Sequence, residues 1–330
     1  MKRLVTLASG QFGDMSLQQL CELAQRMGYE GLELATHAHF DVSKALADPT
    51  YIPWVRNTLE QYNLKCEAIS AHLVGQCVCD VWDERLDGFA PSSLAGQPEA
   101  IRSWAIEEMK DTAKAARAFG VSVVNGFTGS PIWARWYSYP QTSEEMINQG
   151  FELVKKVWTP IFDVFDQCNI RFALEVHPTE IAFDWYTTQR LLDLFDWRET
   201  LGLNFDPSHL KWQGVDEVGF VRDFASRIYH VHMKDVKLNN NPRGGVLGSF
   251  LPFGDTRRNW DFVSVGHGHV DFDGIIRELN RAGYKGPLSV EWEDSGMDRV
   301  FGATESCAYV KKINFSPSLV AFDAALKTQS

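Results

Sequence analysis

The sequence predicts one (β/α)₈ barrel in a single domain, and two observations support this prediction. Short apolar runs typical of strands alternate with helical patterns along the 330 residues, and the alternation repeats eight times. Such alternation is typical of a parallel sheet, and eight units favour closure of the sheet into a barrel. Four of the runs end in a metal-type side chain, at Glu175, Asp206, His232 and Glu291. Because the chemistry of a barrel lies at the carboxyl ends of its strands, these four residues are predicted to share one site.

The strands and helices can be assigned in order from the apolar patterning. The eight predicted strands cover residues 4–8, 31–34, 65–71, 121–127, 172–175, 201–206, 228–232 and 288–291. The predicted helices cover residues 16–27, 51–62, 99–119, 143–168, 185–195, 215–224 and 272–282, and a last helix begins near Met297. Ser16 is the predicted N-cap of the first helix, and Gly28 and Gly120 are predicted helix stops. No linker divides the chain, so residues 1–314 are predicted to form the barrel and residues 315–330 a C-terminal tail.

The charge and the cysteine content limit the classes of partner and compartment. A formal net charge of −11 and a pI near 5.3 argue against a nucleic-acid partner. We find no apolar run of about 18 residues and no signal-peptide pattern, so we expect no membrane span. The six cysteines are scattered, and we interpret them as reduced thiols of a cytoplasmic protein. Cys77 and Cys79 are interpreted as small residues in the loop after the third strand, not as a metal or redox pair.

The four strand-end residues form the donor set of an open site for one divalent cation. Three carboxylates and one imidazole suit Mn²⁺, which we favour, or Mg²⁺ or Co²⁺, better than a closed structural zinc site. Each residue taken alone could equally be a solvated strand end or a turn residue. We expect His230 to face the opposite side of its strand from His232, packed against a helix. Glu293 shares a face with Glu291, and the deeper Glu291 is the predicted ligand.

Two predicted strand-to-helix loops are long enough to shape a substrate pocket. Residues 127–142 include Trp133 among several aromatic side chains, and residues 234–270 include His267. Aromatic rings in such loops suit stacking against the faces of sugar rings. The same composition also fits rings that cover apolar surface or form a subunit contact.

Four motifs resemble the xylose-isomerase-like sugar isomerase/epimerase superfamily over about the whole chain. They are ALE at 173–175, NFDPSH at 204–209, HVHMKD at 230–235 and SVEWE at 289–293. This group includes ketose 3-epimerases, inosose dehydratase, C-glycoside deglycosidases and endonuclease IV. The resemblance implies a (β/α)₈ barrel with Glu175, Asp206, His232 and Glu291 as the metal ligands. It also implies that Glu175 and Glu291 transfer protons, one on each face of the substrate carbon.

Further residues are predicted to contact the substrate. His209 matches a histidine that binds substrate oxygens in the resembling family. The other predicted pocket residues are His72, His177, Lys234, Trp133 and His267. The sequence also departs from the ketose 3-epimerases, which place an arginine six residues after the strand-seven ligand. That position is Leu238 here, so we do not carry over the substrate contacts of those enzymes.

Three functions remain open on these residues. The first is a divalent-metal-dependent sugar isomerase or epimerase that acts through an enediolate. The second is a lyase on the same scaffold that eliminates water or an aglycone from a keto-sugar or a 3-oxo-C-glycoside. The third is a non-catalytic sugar-binding barrel. The expected partner is a small sugar or keto-glycoside, and the chain is expected to form a homo-oligomer, or a hetero-oligomer with a small subunit if it is a deglycosidase.

Overall fold

A computed structural model describes residues 2–324, and its centre is a closed barrel of eight parallel strands. The strands in chain order are β1 (Val5–Ala8), β2 (Gly31–Ala35), β3 (Ala68–Ser70), β4 (Val123–Gly126), β5 (Arg171–Glu175), β6 (Leu201–Phe205), β7 (Ile228–Met233), β8 (Asp235–Leu238), β9 (Trp260–Val263) and β10 (Leu288–Val290). The barrel order is β1-β10-β7-β6-β5-β4-β3-β2, and β8 and β9 form a separate two-stranded sheet. The barrel closes where Val5 of β1 lies opposite Leu288 of β10. The predicted (β/α)₈ architecture is therefore confirmed.

Helices surround the barrel, and local residues determine where the first helix begins and where the first and fifth helices end. They are α1 (Leu17–Met27), α2 (Val42–Ala47), α3 (Tyr51–Gln61), α4 (His72–Cys79), α5 (Pro98–Phe119), α6 (Glu144–Cys168), α7 (Trp185–Leu194), α8 (Pro207–Gln213), α9 (Glu217–Phe224), α10 (Phe272–Arg281) and α11 (Arg299–Ile313). Ser16 caps α1 with a capping box, as predicted. Gly28 and Gly120 end α1 and α5 with φ of 90°, a conformation that favours glycine.

The third barrel loop is helical, contrary to the sequence interpretation. Cys77 and Cys79 lie in α4, which starts at His72 directly after β3. Both thiols are buried, and burial raises the pKa of each to about 12. They are therefore packing residues of a helix and not loop residues. The prediction missed α4 because its eight residues are too few to show a clear helical period.

The long segment after β7 forms a hairpin over the carboxyl end of the barrel. Strands β8 and β9 pair antiparallel, with Asp235 opposite Val263. The Asp235 carboxylate accepts backbone N–H bonds from Val236, Gly266, Gly268 and Val270, and so fastens the end of the segment to its start. A Cβ at Gly268 would lie 2.2 Å from Asp235 Oδ1, so this close approach requires glycine.

The predicted tail starts where α11 ends. Asn280 of α10 donates a hydrogen bond to the Phe315 carbonyl, which holds the start of this segment against the barrel. The last residues of the predicted tail, 325–330, lie outside the described residues. Within the described part of the chain, none of the helices combines the length and the apolar character needed to cross a bilayer.

Candidate active site

The four predicted metal ligands meet at the carboxyl end of the barrel. Glu175 ends β5, Asp206 follows β6 and caps α8, His232 lies on β7 and Glu291 follows β10. One ligand atom from each lies within 4.8 Å of all the others. His232 Nδ1 is 3.2 Å from Glu175 Oε2 and 3.3 Å from Glu291 Oε2. The arrangement follows from the parallel barrel, which brings the same end of each strand to one face.

The carboxylate oxygens and the imidazole nitrogen of this cluster form a donor set that fits a divalent cation. Asp206 Oδ1 accepts hydrogen bonds from the Ser208 backbone N–H and hydroxyl, while Oδ2 is buried and has no hydrogen-bond partner. Burial raises the pKa of Asp206 to about 6. His209 and Lys234 lower this pKa, and the carboxylates of Glu175 and Glu291 raise it. Three converging carboxylates and one imidazole nitrogen are a hard donor set that a divalent cation would neutralise. The residues present therefore fit a metal ion.

Glu33 of β2 lies beneath the cluster and orients His232. Its carboxylate is 3.1 Å from His232 Nε2 and 2.7 Å from His230 Nε2. It also accepts hydrogen bonds from Asn125 Nδ2 at 2.8 Å and Ser289 Oγ at 2.7 Å. Burial by itself would raise the pKa of Glu33, but the two imidazoles outweigh it and hold that pKa well below its usual range. With Nε2 held by Glu33, His232 would offer the Nδ1 lone pair to a cation at the point where Glu175, Asp206 and Glu291 converge.

The structure corrects the expected orientation of His230. Both His230 and His232 point into the barrel and contact Glu33, because residues two apart share one face of a strand. Sequence reasoning did not identify Glu33 as a site residue. The signal that could have found it is a lone carboxylate inside the apolar run Gly31–Ala35, at a position where an ionised group needs partners.

Three of the histidines predicted as substrate contacts lie near Glu175, two of them in contact with it and His177 against His209. His72 Nε2 is 2.8 Å from Glu175 Oε2, and His209 Nε2 is 3.3 Å from Glu175 Oε1. The rings of His177 and His209 have centroids 4.0 Å apart. Burial lowers the pKa of His72, but the Glu175 carboxylate outweighs it and the net pKa is raised. Burial and the neighbouring His209 hold the pKa of His177 well below its usual value.

Glu291 is held from the other side by Lys234 and Gln11. Lys234 Nζ is 3.1 Å from Glu291 Oε2 and 3.1 Å from Glu293 Oε2. Burial by itself would lower the pKa of Lys234. The carboxylates of Glu291 and Glu293 outweigh burial and raise this pKa above its ordinary value, so the ammonium stays charged. Gln11 Nε2 donates to Glu291 Oε1 at 2.9 Å, a contact that sequence reasoning missed. Gln11 belongs to the polar turn after β1, the same strand-end position as the other site residues.

The hairpin defined above covers this side of the cluster. The Phe262 ring of β9 lies 4.3 Å from Lys234 Nζ, and its centroid is 5.4 Å from that of His209. Trp260 stacks on Trp212 of α8 with centroids 4.5 Å apart. An apolar cap of this kind excludes water from the carboxylates below it and strengthens their electrostatic interactions.

Two predicted substrate contacts lie outside the buried cluster. His267 is 46% exposed, and its Nε2 is 3.2 Å from Glu305 of α11. Trp133 lies in the loop after β4, next to Trp136 and Phe183. The backbone N–H of Gly268 donates to the Asp235 carboxylate, and Gly268 packs closely against that side chain. The neighbouring His267 ring is left at the surface.

The fold and the site agree with the comparison to known families. The model of the xylose isomerase-like TIM barrel family matches residues 21–313. The chain belongs to this family. The family match runs from within α1 to the end of α11, so it leaves out β1 and includes all four candidate ligands.

Among curated proteins, the xylose isomerase-like barrel is similar to bacterial relatives over part of its length. It is 29% identical over 192 residues to the uncharacterized protein YfiH of Bacillus subtilis strain 168, covering 55% of this chain and 60% of YfiH. It is 33% identical over 105 residues to inosose dehydratase 2 of Bacillus cereus strain ZK / E33L, covering 32% of this chain and 34% of that protein. The chain therefore spans less than two thirds of the length of either relative.

Two solved structures share the fold of this xylose isomerase-like barrel over most of both chains. The 3-keto-D-glucoside 4-epimerase YcjR of E. coli superposes with a TM-score of 0.67 at 14% identity, covering 94% of this chain and 100% of that chain. The probable 3-DHS dehydratase AsbF of Bacillus anthracis superposes with a TM-score of 0.65 at 19% identity, covering 94% and 98%. At this identity the likeness concerns the fold.

A buried carboxyl, Glu180, fixes the start of the loop after β4 in this family member. Glu180 Oε2 accepts the backbone N–H groups of Thr128 and Gly129, each at 2.7 Å. Burial raises the pKa of Glu180 to about 7 from its ordinary value of 4.5. Between these values the folded protein holds a proton that the unfolded chain has released. The stability that this proton contributes is present below pH 4.5 and is lost as the pH rises through 7.

We therefore expect Glu180→Gln to flatten the pH dependence of stability. The difference between the two pKa values corresponds to ~3 kcal/mol of unfolding free energy. The variant should match the parent near pH 4.5 and exceed it by up to this amount at pH 8, as measured by urea unfolding at each pH. Glu99→Gln is the control, because the Glu99 side chain is 85% exposed. Parallel stability curves for the Glu180 variant and the parent would contradict the assignment.

Proposed function

We propose that this chain is a divalent-metal-dependent enzyme that isomerises or epimerises a keto-sugar or keto-cyclitol. The observation that carries the proposal is the convergence of two carboxylates on one imidazole nitrogen. Glu175 Oε2 and Glu291 Oε2 lie 3.2 and 3.3 Å from His232 Nδ1. When two glutamates converge on one metal position, one can remove a proton from a substrate carbon as a carboxylate and the other can return a proton as a carboxylic acid.

The proposed metal is Mn²⁺, with Mg²⁺ and Co²⁺ as alternatives for the same oxygen-rich ligands. Glu175, Asp206, His232 and Glu291 would hold it. When bound there, a divalent cation polarises a carbonyl and so acidifies the neighbouring C–H. Manganese, magnesium and cobalt are distinguished by measuring which ion restores activity to metal-depleted protein.

Each of the two glutamates is oriented by its own set of hydrogen-bond donors. Each can therefore be held in place for one of the two proton transfers. Hydrogen bonds from His72 and Asn204, at 2.8 and 2.9 Å, orient the Glu175 carboxylate. Lys234 and Gln11 orient Glu291. One carboxylate takes the proton of the C–H bond, whose electron pair moves onto the carbonyl oxygen and gives an enediolate. The other glutamate, which has taken a proton from solvent before the substrate binds, delivers that proton to carbon and completes the epimer or isomer.

The neighbouring polar residues position the substrate. His209 lies between Glu175 and Asp206, at 3.3 and 3.5 Å, and so faces the space in which substrate oxygens would bind. His72 and His177 border the same space. Phe262 and the hairpin limit the access of bulk water to the enediolate, so the proton that returns to carbon comes from a glutamate carboxyl.

Elimination is the second candidate, and Lys234 favours it. Its ammonium is buried and kept charged by Glu291 and Glu293. A cation in this position can hydrogen-bond to a leaving hydroxyl or glycosidic oxygen after the proton next to the carbonyl has been removed. The match to inosose dehydratase 2 over about a third of the chain supports the same candidate.

Proton NMR in D₂O tests the proposal. Protein loaded with Mg²⁺, which avoids paramagnetic broadening, is incubated with ketohexoses, inosose and 3-keto-glycosides. We expect deuterium to enter a carbon next to the carbonyl while the skeleton and its substituents are kept. Release of water or of an aglycone, with formation of an enone, would favour elimination. Protein that shows neither exchange nor release, and binds no metal, would favour a non-catalytic sugar-binding barrel.

A further inference from the structure

A large cavity lies beside the candidate active site, between the loops that follow β4 and β5. Its volume is about 730 Å³, within the size range of small-molecule pockets. We call it the aromatic cavity, and its defining residues are Trp133, Trp136, Tyr137, Phe151, Phe183 and Arg190. Nothing in the proposed proton-transfer chemistry uses these side chains.

The aromatic cavity shares its loops with the candidate metal centre. Phe127, which begins the loop after β4, has its ring centroid 4.7 Å from that of His72 and 5.0 Å from that of His177. Phe127 and His177 are both partly exposed. Three residues beyond each of them, Ser130 and Glu180 line the cavity. Phe127 and His177 do not line the cavity themselves, and each is joined to its wall by three residues of chain.

The lining of the aromatic cavity selects a planar group. The Trp133 and Trp136 rings are 19° from parallel with centroids 6.0 Å apart, and Phe183 meets Trp133 edge-on at 5.2 Å. Trp136 remains 53% exposed, so its apolar face is available to a ligand. Flat, rigid aromatic surfaces of this kind stack on flat ligands at a small cost in side-chain entropy.

Two guanidinium groups give the aromatic cavity a positive edge in an otherwise acidic protein. Arg190 lies 4.2 Å over the Phe151 ring at the cavity wall. The Arg135 side chain also lines the cavity, and within residues 2–324 its guanidinium makes no hydrogen bond or ion pair. The net charge of the whole chain is −11, so these groups are a local exception. They favour a ligand that carries phenolic or carboxylate oxygens.

We propose that the aromatic cavity binds the phenolic aglycone of a keto-glycoside whose sugar ring occupies the candidate metal centre. This proposal rests on the proposed function for the position of the sugar. The substrate is then an aryl glycoside and not a free hexose, and the loop after β4 determines specificity. The aglycone extends past Phe127 and stacks on Trp133, with its oxygens directed at Arg135 and Arg190.

Ligand binding measured by calorimetry tests the proposal with three probes on the metal-loaded protein. The probes are a phenolic aryl 3-keto-glucoside, methyl 3-keto-glucoside and the free phenol. We expect the aryl glycoside to bind at least about tenfold more tightly than the methyl glycoside, as stacking of one ring would supply. Trp133→Ala should remove this advantage and leave the affinity for the methyl glycoside within about twofold. Equal affinities of the two glycosides for the unaltered protein would overturn the proposal.

Matched variants show whether the aromatic cavity itself binds the phenolic ring. Trp54→Ala removes an indole that is 50% exposed on α3 and should change none of the affinities. Arg135→Ala, at an exposed position, tests the same cavity without disturbing the fold if Trp133→Ala proves unstable, and should weaken only the phenolic probes. A change of oligomer mass in Trp133→Ala, with unchanged aryl affinity, would show that the cavity receives a second copy of the chain and would overturn the proposal.

The outcomes also separate this proposal from the proposed function. If the free phenol binds in a way that depends on Trp133, but no keto-sugar exchanges protons, the aromatic cavity is supported as a binding site and the proposed enzymatic reaction is contradicted. If keto-sugars exchange protons, but the protein shows no preference for the aryl glycoside, the proposed reaction is supported and the aglycone site is contradicted.

Discussion

Glu291→Gln and Glu175→Gln are each expected to lower kcat by about 10³-fold or more. Each glutamine keeps the shape of the side chain but cannot accept the proton from carbon, and general base catalysis is worth up to about 10⁴-fold. The substrate affinity should change little, because the other groups around the site remain. Steady-state kinetics with the active keto-sugar, together with the metal content of each purified variant, measures both effects.

Glu293→Gln is the matched control for Glu291. Glu293 lies two residues away and contacts the same Lys234 at 3.1 Å, but it is 40% exposed and is not one of the four converging ligands. We expect less than a tenfold change in kcat. Activity retained by both Glu175→Gln and Glu291→Gln at full metal content would remove these residues from the proton-transfer roles.

Gly75→Ala is expected to destabilise the protein by about 3 kcal/mol, near the upper end of the effects of overpacking. A Cβ at position 75 would lie 2.0 Å from the Phe127 carbonyl oxygen, and a backbone atom cannot move aside as a flexible side chain can. Helix α4 would have to move away from the start of the loop after β4. His72 begins this helix and Phe127 borders His177, so metal affinity should fall as well.

Gly88→Ala is the control for this substitution. The position has no neighbouring atom within 4 Å of an added Cβ, so the change should alter the unfolding free energy by less than about 0.5 kcal/mol. Urea unfolding at constant pH measures both variants. A Gly75 variant as stable as the parent would mean that α4 and the loop after β4 are not in the close contact described above.

Sequence patterns were sufficient wherever the determining interactions are local. The capping box at Ser16 and the positive φ of Gly28 depend on side chains within a few residues, so the bounds of α1 followed directly from the chain. The short elements α2, α4 and α8 were missed because six to eight residues carry little periodic signal, although α9, also of eight residues, was predicted. The hairpin was missed for another reason, since Asp235 and Gly268 meet only after the intervening segment has folded back.

For the site, the amino-acid sequence by itself determined that Glu175, Asp206, His232 and Glu291 would gather on one face. Each ends a strand in a β/α alternation, and a parallel barrel brings all such ends together whatever the remaining packing. Only the tertiary structure decided which other groups complete the site. Glu33 and Gln11 come from β2 and from the turn after β1, and their contacts to His232 and Glu291 span 199 and 280 positions along the chain. No periodicity encodes such pairs, because the closure of the barrel sets which strands are neighbours and how far each side chain reaches into its interior.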